Sequence, residues 1–353
     1  MTCRRHGIAY AARVAPLASI VTPTRNRSAF LARTLTSYTQ QRERGFEVVI
    51  ADDGSEDDTR EVARSFASEL DLRYIRRAPV GIAAARNAAI RSARGDVVIF
   101  ADDDRVAGPS FVADHLAAHA TGDRRLAVGR QRGLFAEWSR DAAYSRDAIA
   151  ALRARHPGLA AQLDEPRAEL VTPAALRADL AGTLAAFELD EPWWHGYVRY
   201  VLDTWPGLVG FAFPWTLGVG SNLSLRRAVA HEVGLHDEAF VGWGLEDNDF
   251  HYRLHVAGVE TVVLDGGVNY HQIHRRGPER VAEWSRNALR MIDKHDSLNV
   301  LLYLSVCRRR LELGVANQIA LDHAALAGAA PALVAELVRL TRDQLRASLR
   351  ATA

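Results

Sequence analysis

Three short apolar runs, two of them ending in clustered carboxylates, constrain this chain more than any other feature. Residues 18–22 (ASIVT) run into Pro23-Thr24-Arg25-Asn26-Arg27, residues 47–51 (EVVIA) into Asp52-Asp53-Gly54-Ser55, and residues 96–100 (DVVIF) into Ala101 and the run Asp102-Asp103-Asp104. Between them lie segments with helical spacing. Phe30, Leu31, Leu35 and Tyr38 share a face over 28–41, Val62, Phe66 and Leu70 recur over 57–70, and 82–93 is a third helix candidate. Residues 73–75 form a short strand candidate. Unbroken β-branched runs joined by helices are the mark of buried parallel strands in a doubly wound α/β sheet. Ligands of such sheets bind beyond the carboxyl ends of the strands, which is where the acids stand.

Composition narrows the function classes. Lys and Arg number 44 against 43 Asp and Glu, so charge offers no reason to expect a nucleic acid partner. Cys3 and Cys307 have no Cys or His at metal-ligand spacing, which fits a reducing, cytoplasmic setting rather than a disulfide scaffold. The first twenty residues lack the sustained apolar core of a signal peptide, and no stretch of about 18 apolar residues suggests a transmembrane helix.

The chain divides by pattern into an N-terminal segment (1–17), a strand-and-helix half (18–135), an Ala-, Leu- and Arg-rich helical insertion (136–207), a second mixed half (208–277) and a helical C-terminal extension (278–353). Trp193, Trp194, Trp205 and Trp215 fall near the end of the insertion, where core packing is their default role and an acceptor groove the alternative. The last helix, 331–349, carries Arg339, Arg342 and Arg346, with Arg350 at its end. A helix packed on its own domain is its default reading, with peripheral contact at the inner face of a membrane as the alternative.

Three consecutive carboxylates are costly to hold together without a cation, and carboxylate oxygens suit Mg²⁺ or Mn²⁺. A solvated acidic loop is the plain alternative for the run alone. Its neighbours decide otherwise. SIVTPTRNR, VVIADDGSEDDT, GIAAARNAAI and GDVVIFADDD follow one another in order, and residues 19–104 resemble the nucleotide-binding half of family-2 glycosyltransferases of the GT-A fold. The resemblance implies that Thr22, Pro23 and Arg25 border a nucleoside pocket, that Asp52 and Asp53 contact base and ribose, and that Arg86 of the Ala-Arg-Asn motif holds the nucleotide. It also implies that Asp102 and Asp104 form the Asp-x-Asp pair holding a divalent cation against the donor diphosphate, with Asp103 on the donor side. Taken alone, Arg86 is as readily a salt-bridge residue and Asn87 a cap or packing residue.

A second cluster, FVGWGLEDNDFHYRLHVAG, sets Gly242 and Gly244 around Trp243 and places Glu246, Asp247 and Asp249 in the first turn of a helix that Gly258 ends. Acids there are favoured by the helix dipole whatever their function, and Asp249 with Arg253 forms an i,i+4 pair. Glycines on both sides of a Trp allow close backbone approach to a ligand, and a Trp face can pack on a sugar ring. The stretch resembles the acceptor-side motif of galactosyltransferase-type GT-A enzymes. That resemblance implies Asp247 as general base, with Glu246, Trp243 and Gly244 on the acceptor. Residues 218–227 (GVGSNLSLRR) resemble the segment that closes over the donor sugar. GT-A enzymes often supply a late His to the metal. His271 and His274 both follow the apolar strand 261–264, with His271 favoured because it stands closer to the strand, and Arg275 and Arg276 lie beside them.

The expectation is a GT-A glycosyltransferase that uses Mn²⁺ or Mg²⁺ and inverts the anomeric centre. It would move a sugar from a nucleotide diphosphate, by resemblance a UDP-sugar, to a hydroxyl on a glycan, lipid-linked or small-molecule acceptor. A sugar-phosphate nucleotidyltransferase would need a glycine-rich phosphate loop where TPTRNR stands. A non-catalytic sugar-binding protein would have no use for all of Asp102, Asp104, Glu246 and Asp247.

Overall fold

A computed structural model describes residues 17–140, 144–191, 193–274 and 279–353. The three apolar runs become β1 (Ala18–Thr24), β2 (Phe46–Asp52) and, after β3 (Leu72–Arg76), β4 (Val97–Phe100). The four strands are parallel, and β1, β2 and β4 are buried along their whole length. Alternation sorts their side chains into two layers. Val21, Val49, Val98 and Phe100 meet Ala85, Ala89 and Ile90 of the helix Ile82–Ser92. Ile20, Val48, Ile50 and Ile99 meet Leu31, Leu35 and Tyr38 of the helix Ser28–Tyr38. Each such buried aliphatic side chain contributes roughly 1.5–3 kcal/mol.

The chain continues through β5 (Arg105–Ala107), β6 (Arg125–Val128), β7 (Gln131–Leu134), β8 (Glu137–Ser139), β9 (Arg167–Glu169), β10 (Glu188–Leu189), β11 (Leu223–Arg226), β12 (Glu260–Val263) and β13 (Asn269–Gln272). The main sheet has the order β12-β6-β11-β4-β1-β2-β3, in which β11 runs antiparallel to both neighbours. A second sheet has the order β10-β7-β13-β5. Its antiparallel β5–β13 pair sets His271 opposite Arg105, one residue past the acidic run. This sheet has no counterpart in the sequence expectation, because strands of two to four residues are too short to show a period. The helices 28–41 and 57–70 are shorter than their patterns, ending at Tyr38 and Ser65. Residues 136–190 contain the helices Arg146–Arg155, Ala160–Asp164, Pro173–Ala178 and Leu180–Phe187, and also β8, β9 and β10.

From Arg280 onward the chain is helical: Arg280–Lys294, Leu298–Cys307, Leu313–Leu326 and Pro331–Arg350. These helices share a core with Trp194, Phe213 and Trp215, through Met291, Leu301 and Leu345 among others. Trp193 and Trp205 are only partly buried against it. Asp249, fully buried, fastens this layer to the sheet domain. It accepts from Arg253 at 2.9 Å on its own helix, and from Lys294 and His295 (2.7 Å) at the end of Arg280–Lys294. Arg342 and Arg346 of the last helix pair with Asp296 and Asp293, and Arg339 with Glu336 and Asp343, so its basic face is engaged by acids of its own chain. Among the described residues no helix is long and apolar enough to cross a membrane. Residues 1–16, with Cys3, and Arg275 and Arg276 lie outside the described residues.

Candidate active site

Beyond the carboxyl ends of β1, β2 and β4 lies a cavity of about 650 Å³. Its lining includes Pro23, Arg25, Asp53 and Gly81, the run Asp102, Asp103 and Asp104, and Trp243, Glu246, Asp247 and Trp284. The strand-end acids and the acids of the helix Glu246–Val256 therefore face one space, although about 140 residues separate them in sequence.

The three consecutive acids have different surroundings. Asp103 accepts from Thr24 Oγ1 at 2.7 Å and from Arg27 Nη1 at 2.9 Å. Asp104 accepts from Arg27 Nη1 at 2.9 Å, and its Oδ2 lies 3.1 Å from His274 Nε2 and 3.7 Å from His271 Nε2. Asp102, the most exposed of the three side chains, accepts from Arg86 Nη2 at 2.9 Å. Burial, with the neighbouring acids, raises Asp102 and pushes Asp103 up to about 7. Burial opposes the ionisation of Asp104 as well, but His271, His274, Arg27 and Arg105 outweigh it and hold that carboxyl well below its usual range. Burial and then Arg105 lower His271 to about 4, so it is a neutral imidazole at physiological pH.

Asp104, His271 and His274 present ligand atoms within 4.8 Å of one another, a group able to hold a metal ion. The donor set fits a hard or borderline divalent cation: one ionised carboxylate and two imidazole nitrogens. Arg27 meanwhile lies across this group, with Nη1 on Asp104 and Nη2 2.5 Å from His274 Nε2. Both histidines thus gather at Asp104, while Asp102 is turned to Arg86.

Leu245, at φ 72°, turns the chain into the helix Glu246–Val256, and Asp247 follows in the first turn. Asp247 Oδ1 accepts from Arg86 Nη1 at 2.7 Å and from His236 Nε2 at 3.2 Å, and Oδ2 accepts from Gly220 N at 2.9 Å. Since a carboxylate only accepts, His236 carries its proton on Nε2. Burial opposes ionisation of Asp247, yet Arg86 and His236 outweigh it and hold the carboxyl well below its usual range. Glu246 goes the other way: burial, then the charge of Asp247, pushes it up to about 7, and Arg86 Nη1 lies 3.1 Å from it. Gly220 is required for this packing, because a Cβ there would fall 2.5 Å from Asp247 Oδ1.

The remaining expected residues divide. Pro23, Arg25 and Asp53 line the cavity, and Asp53 is fixed by Val80 N at 2.8 Å and Gly81 N at 3.0 Å. Thr22 and Asp52 do not line it. Thr22 is fully buried in β1, and Asp52 accepts from Ser55 N at 2.8 Å and from the Tyr74 hydroxyl. Arg86, fully enclosed, spends its guanidinium on Asp102, Glu246 and Asp247. Asn87 exchanges hydrogen bonds with the backbone of His236, N and O each at 2.9 Å, and so sets the loop that carries this histidine. Trp243 is 41 % exposed at the cavity, with Arg280 4.5 Å from its ring centroid. Gly242 and Gly244 have positive φ, and a Cβ on them would strike Glu283 and Trp284. These glycines line the cavity and also admit the helix Arg280–Lys294 behind it. Arg27, Glu191 and His236 were not singled out from sequence. Arg27 stood within TPTRNR, two residues past Arg25, but Glu191 and His236 carried no motif.

Known proteins share this sequence and fold. The model of glycosyl transferase family 2 matches residues 19–177, and that of the N-terminal domain of galactosyltransferase matches residues 208–275. The uncharacterized glycosyltransferase YfnE of Bacillus subtilis is 31% identical over 289 residues, 80% of this chain and 72% of that protein. Validoxylamine A glucosyltransferase of Streptomyces hygroscopicus subsp. jinggangensis is 32% identical over 306 residues, 83% of this chain but 64% of that protein. The crystal structure of S. aureus TarS 1–349 in complex with UDP-GlcNAc superposes with a TM-score of 0.52 at 17% identity, covering 86% of this chain and 70% of that one, a likeness of fold. With the strand-end acids, the antiparallel β11 and these relatives in view, the chain belongs to glycosyl transferase family 2, as a glycosyltransferase of the GT-A fold.

Proposed function

We propose that this enzyme transfers a sugar from a nucleotide diphosphate donor, a UDP-sugar, to an acceptor hydroxyl by one inverting displacement, assisted by Mn²⁺ or Mg²⁺. One observation supports this above all: Arg86 joins Asp102 on the donor side to Asp247 on the acceptor side across a single cavity. Residues 18–135 are the nucleotide-sugar half and 208–277 the acceptor and catalytic half. The nucleoside sits by Pro23, Arg25 and Asp53, with Asp52 bracing the loop behind them through Ser55 N, and Asp103 holds Thr24 and Arg27 in place on the donor side.

Asp104, His271 and His274 would hold the cation, with Asp102 as the second carboxylate beside it. When bound, such a cation neutralises charge developing on the leaving diphosphate. Asp247 takes the proton of the attacking hydroxyl. Among the described residues its Oδ2 accepts from Gly220 N alone and keeps a lone pair for that proton, while Arg86 and His236 hold Oδ1. A carboxylate held this low is ionised but weakly basic, which suits a proton that leaves late, after the bond to the diphosphate has largely broken. Glu246, Trp243 and Gly244 face the acceptor, a glycan, lipid-linked or small-molecule hydroxyl compound. The missing phosphate loop after β1 speaks against a nucleotidyltransferase, and the four acids in one cavity against a non-catalytic sugar-binding protein.

The test is Asp247→Asn. Transfer should fall by roughly 10²–10⁴, while calorimetric affinity for UDP with Mn²⁺ persists. Turnover at the unaltered rate would refute the base. A panel of nucleotide sugars, scored for metal-dependent hydrolysis, identifies the donor.

A further inference from the structure

We infer that Glu191 is a positioning residue for the cation site, fixing the ring of His271 so that Nε2 faces Asp104. This rests on the metal-dependent reading above. Glu191 lies between the two matched family segments, just before the helical stretch that opens near Trp194. It is a carboxylate only 3 % exposed that nonetheless lines the cavity. One oxygen is pinned: Trp194 N donates to Glu191 Oε2 at 3.0 Å. The other, Oε1, stands 3.6 Å from His271 Nδ1.

His271 is itself nearly buried, and its Nδ1 has no hydrogen-bond partner among the described residues. The carboxylate can only accept, so the approach of Glu191 favours the tautomer with the proton on Nδ1. His271 Nε2 is then a lone pair aimed at Asp104 Oδ2, 3.7 Å away, with His274 Nε2 3.1 Å from that same oxygen. Three acceptor atoms converging on one point repel unless a positive charge lies among them, and Arg27, on Asp104 and beside His274 Nε2, supplies that charge where a bound cation would compete with it. A carboxylate behind a ligating histidine is the usual way of orienting it, and its loss weakens metal binding roughly 10–100-fold. The β5–β13 register places His271 opposite Arg105, and Glu191 settles which ring nitrogen faces the acids.

The experiment measures Mn²⁺ binding to the full chain by electron paramagnetic resonance of the free ion, and the His271 tautomer by ¹⁵N chemical shifts, with His271→Ala identifying the signal. Wild type should show the Nδ1–H tautomer. Glu191→Gln, which keeps the acceptor for Trp194 N, and Glu191→Ala should each weaken Mn²⁺ roughly 10–100-fold, and Glu191→Ala should abolish the tautomer preference. A residue that merely supported the fold would not move the tautomer. Wild-type Mn²⁺ affinity in both Glu191 variants, alongside a loss in His271→Ala, would overturn the role of Glu191 and leave the metal site standing. Unchanged affinity in His271→Ala would remove the metal site and this inference with it. Should the Glu191 variants fail to fold, an Nε2–H tautomer in wild type overturns the proposal by itself.

Discussion

Arg86, on the helix Ile82–Ser92, donates to Asp247 Oδ1 at 2.7 Å and to Asp102 Oδ1 at 2.9 Å, and the two contacts together bind the helix that opens at Glu246 to the acidic end of β4. The guanidinium has no exposure to speak of and serves Asp102 and Glu246 as well. Its substitution therefore strands three carboxylates in a buried space. Arg86→Met should cost about 3–5 kcal/mol, the usual price of breaking a buried ion pair from one side. The Asp247 carboxyl should rise at the same time, since after burial Arg86 is the largest influence on it. Chemical denaturation gives the first quantity, and the acid limb of the pH–rate profile, shifted to higher pH in any residual activity, gives the second.

Arg27 occupies the place a cation would take, donating to Asp104 at 2.9 Å and lying 2.5 Å from His274 Nε2. A metal ion that binds there competes for the same lone pairs. Arg27→Gln should bind Mn²⁺ about tenfold more tightly, because hydrogen bonds to charged groups are each worth about 1.5–3 kcal/mol and part of that is regained from the metal. Isothermal titration with Mn²⁺ alone checks this, and weaker binding in the variant would show that Arg27 organises the site instead.

Much of this arrangement was legible in the sequence, and the division has a physical cause. Buried parallel strands need continuous β-branched runs, so β1, β2 and β4 announced themselves, and the acids at their ends followed directly along the chain. The helix at Glu246 was marked by its first-turn acids and by the glycine past its end. What could not be read were partnerships made by tertiary pairing. His271 and His274 both reach Asp104 because β13 lies antiparallel to β5, a register set by strands only three and four residues long. His236 reaches Asp247 because Asn87 holds its backbone at both N and O. Gly242 and Gly244 were legible as close-approach positions, but the thing approaching, the helix with Glu283 and Trp284, was not.

Glu246 gives a pH signature. In the folded protein its carboxyl is pushed up to about 7 by burial and then by Asp247, while an unfolded chain would have it near its ordinary 4.5. Between these values the folded state holds the proton more firmly, so this residue's contribution to stability declines as pH rises through the window. Glu246→Gln removes the titration and keeps an acceptor for Arg86. The stability of the variant relative to wild type should therefore climb from pH 4.5 to pH 7.5, by an amount on the order of 1 kcal/mol or more, and its melting temperature with it. Parallel thermal melts across that range decide it, and a constant difference would mean that Glu246 stays ionised.

Gly220 separates packing at the base from glycine flexibility in general. A Cβ there would lie 2.5 Å from Asp247 Oδ1 and 2.7 Å from Arg86 Cζ, whereas a Cβ on Gly314, in the helix Leu313–Leu326, meets nothing within 4 Å. Gly220→Ala must push Asp247 and Arg86 apart. We expect overpacking to cost about 1–3 kcal/mol, and a displacement of the base approaching 1 Å to lower turnover by about 10². Gly314→Ala removes unfolded-state freedom without a clash, and should stabilise by roughly 0.5–1 kcal/mol with unchanged turnover. Denaturation midpoints and kcat for the two variants, measured side by side, test the assignment. If Gly220→Ala retains full turnover, the Gly220 N to Asp247 contact does not position the base.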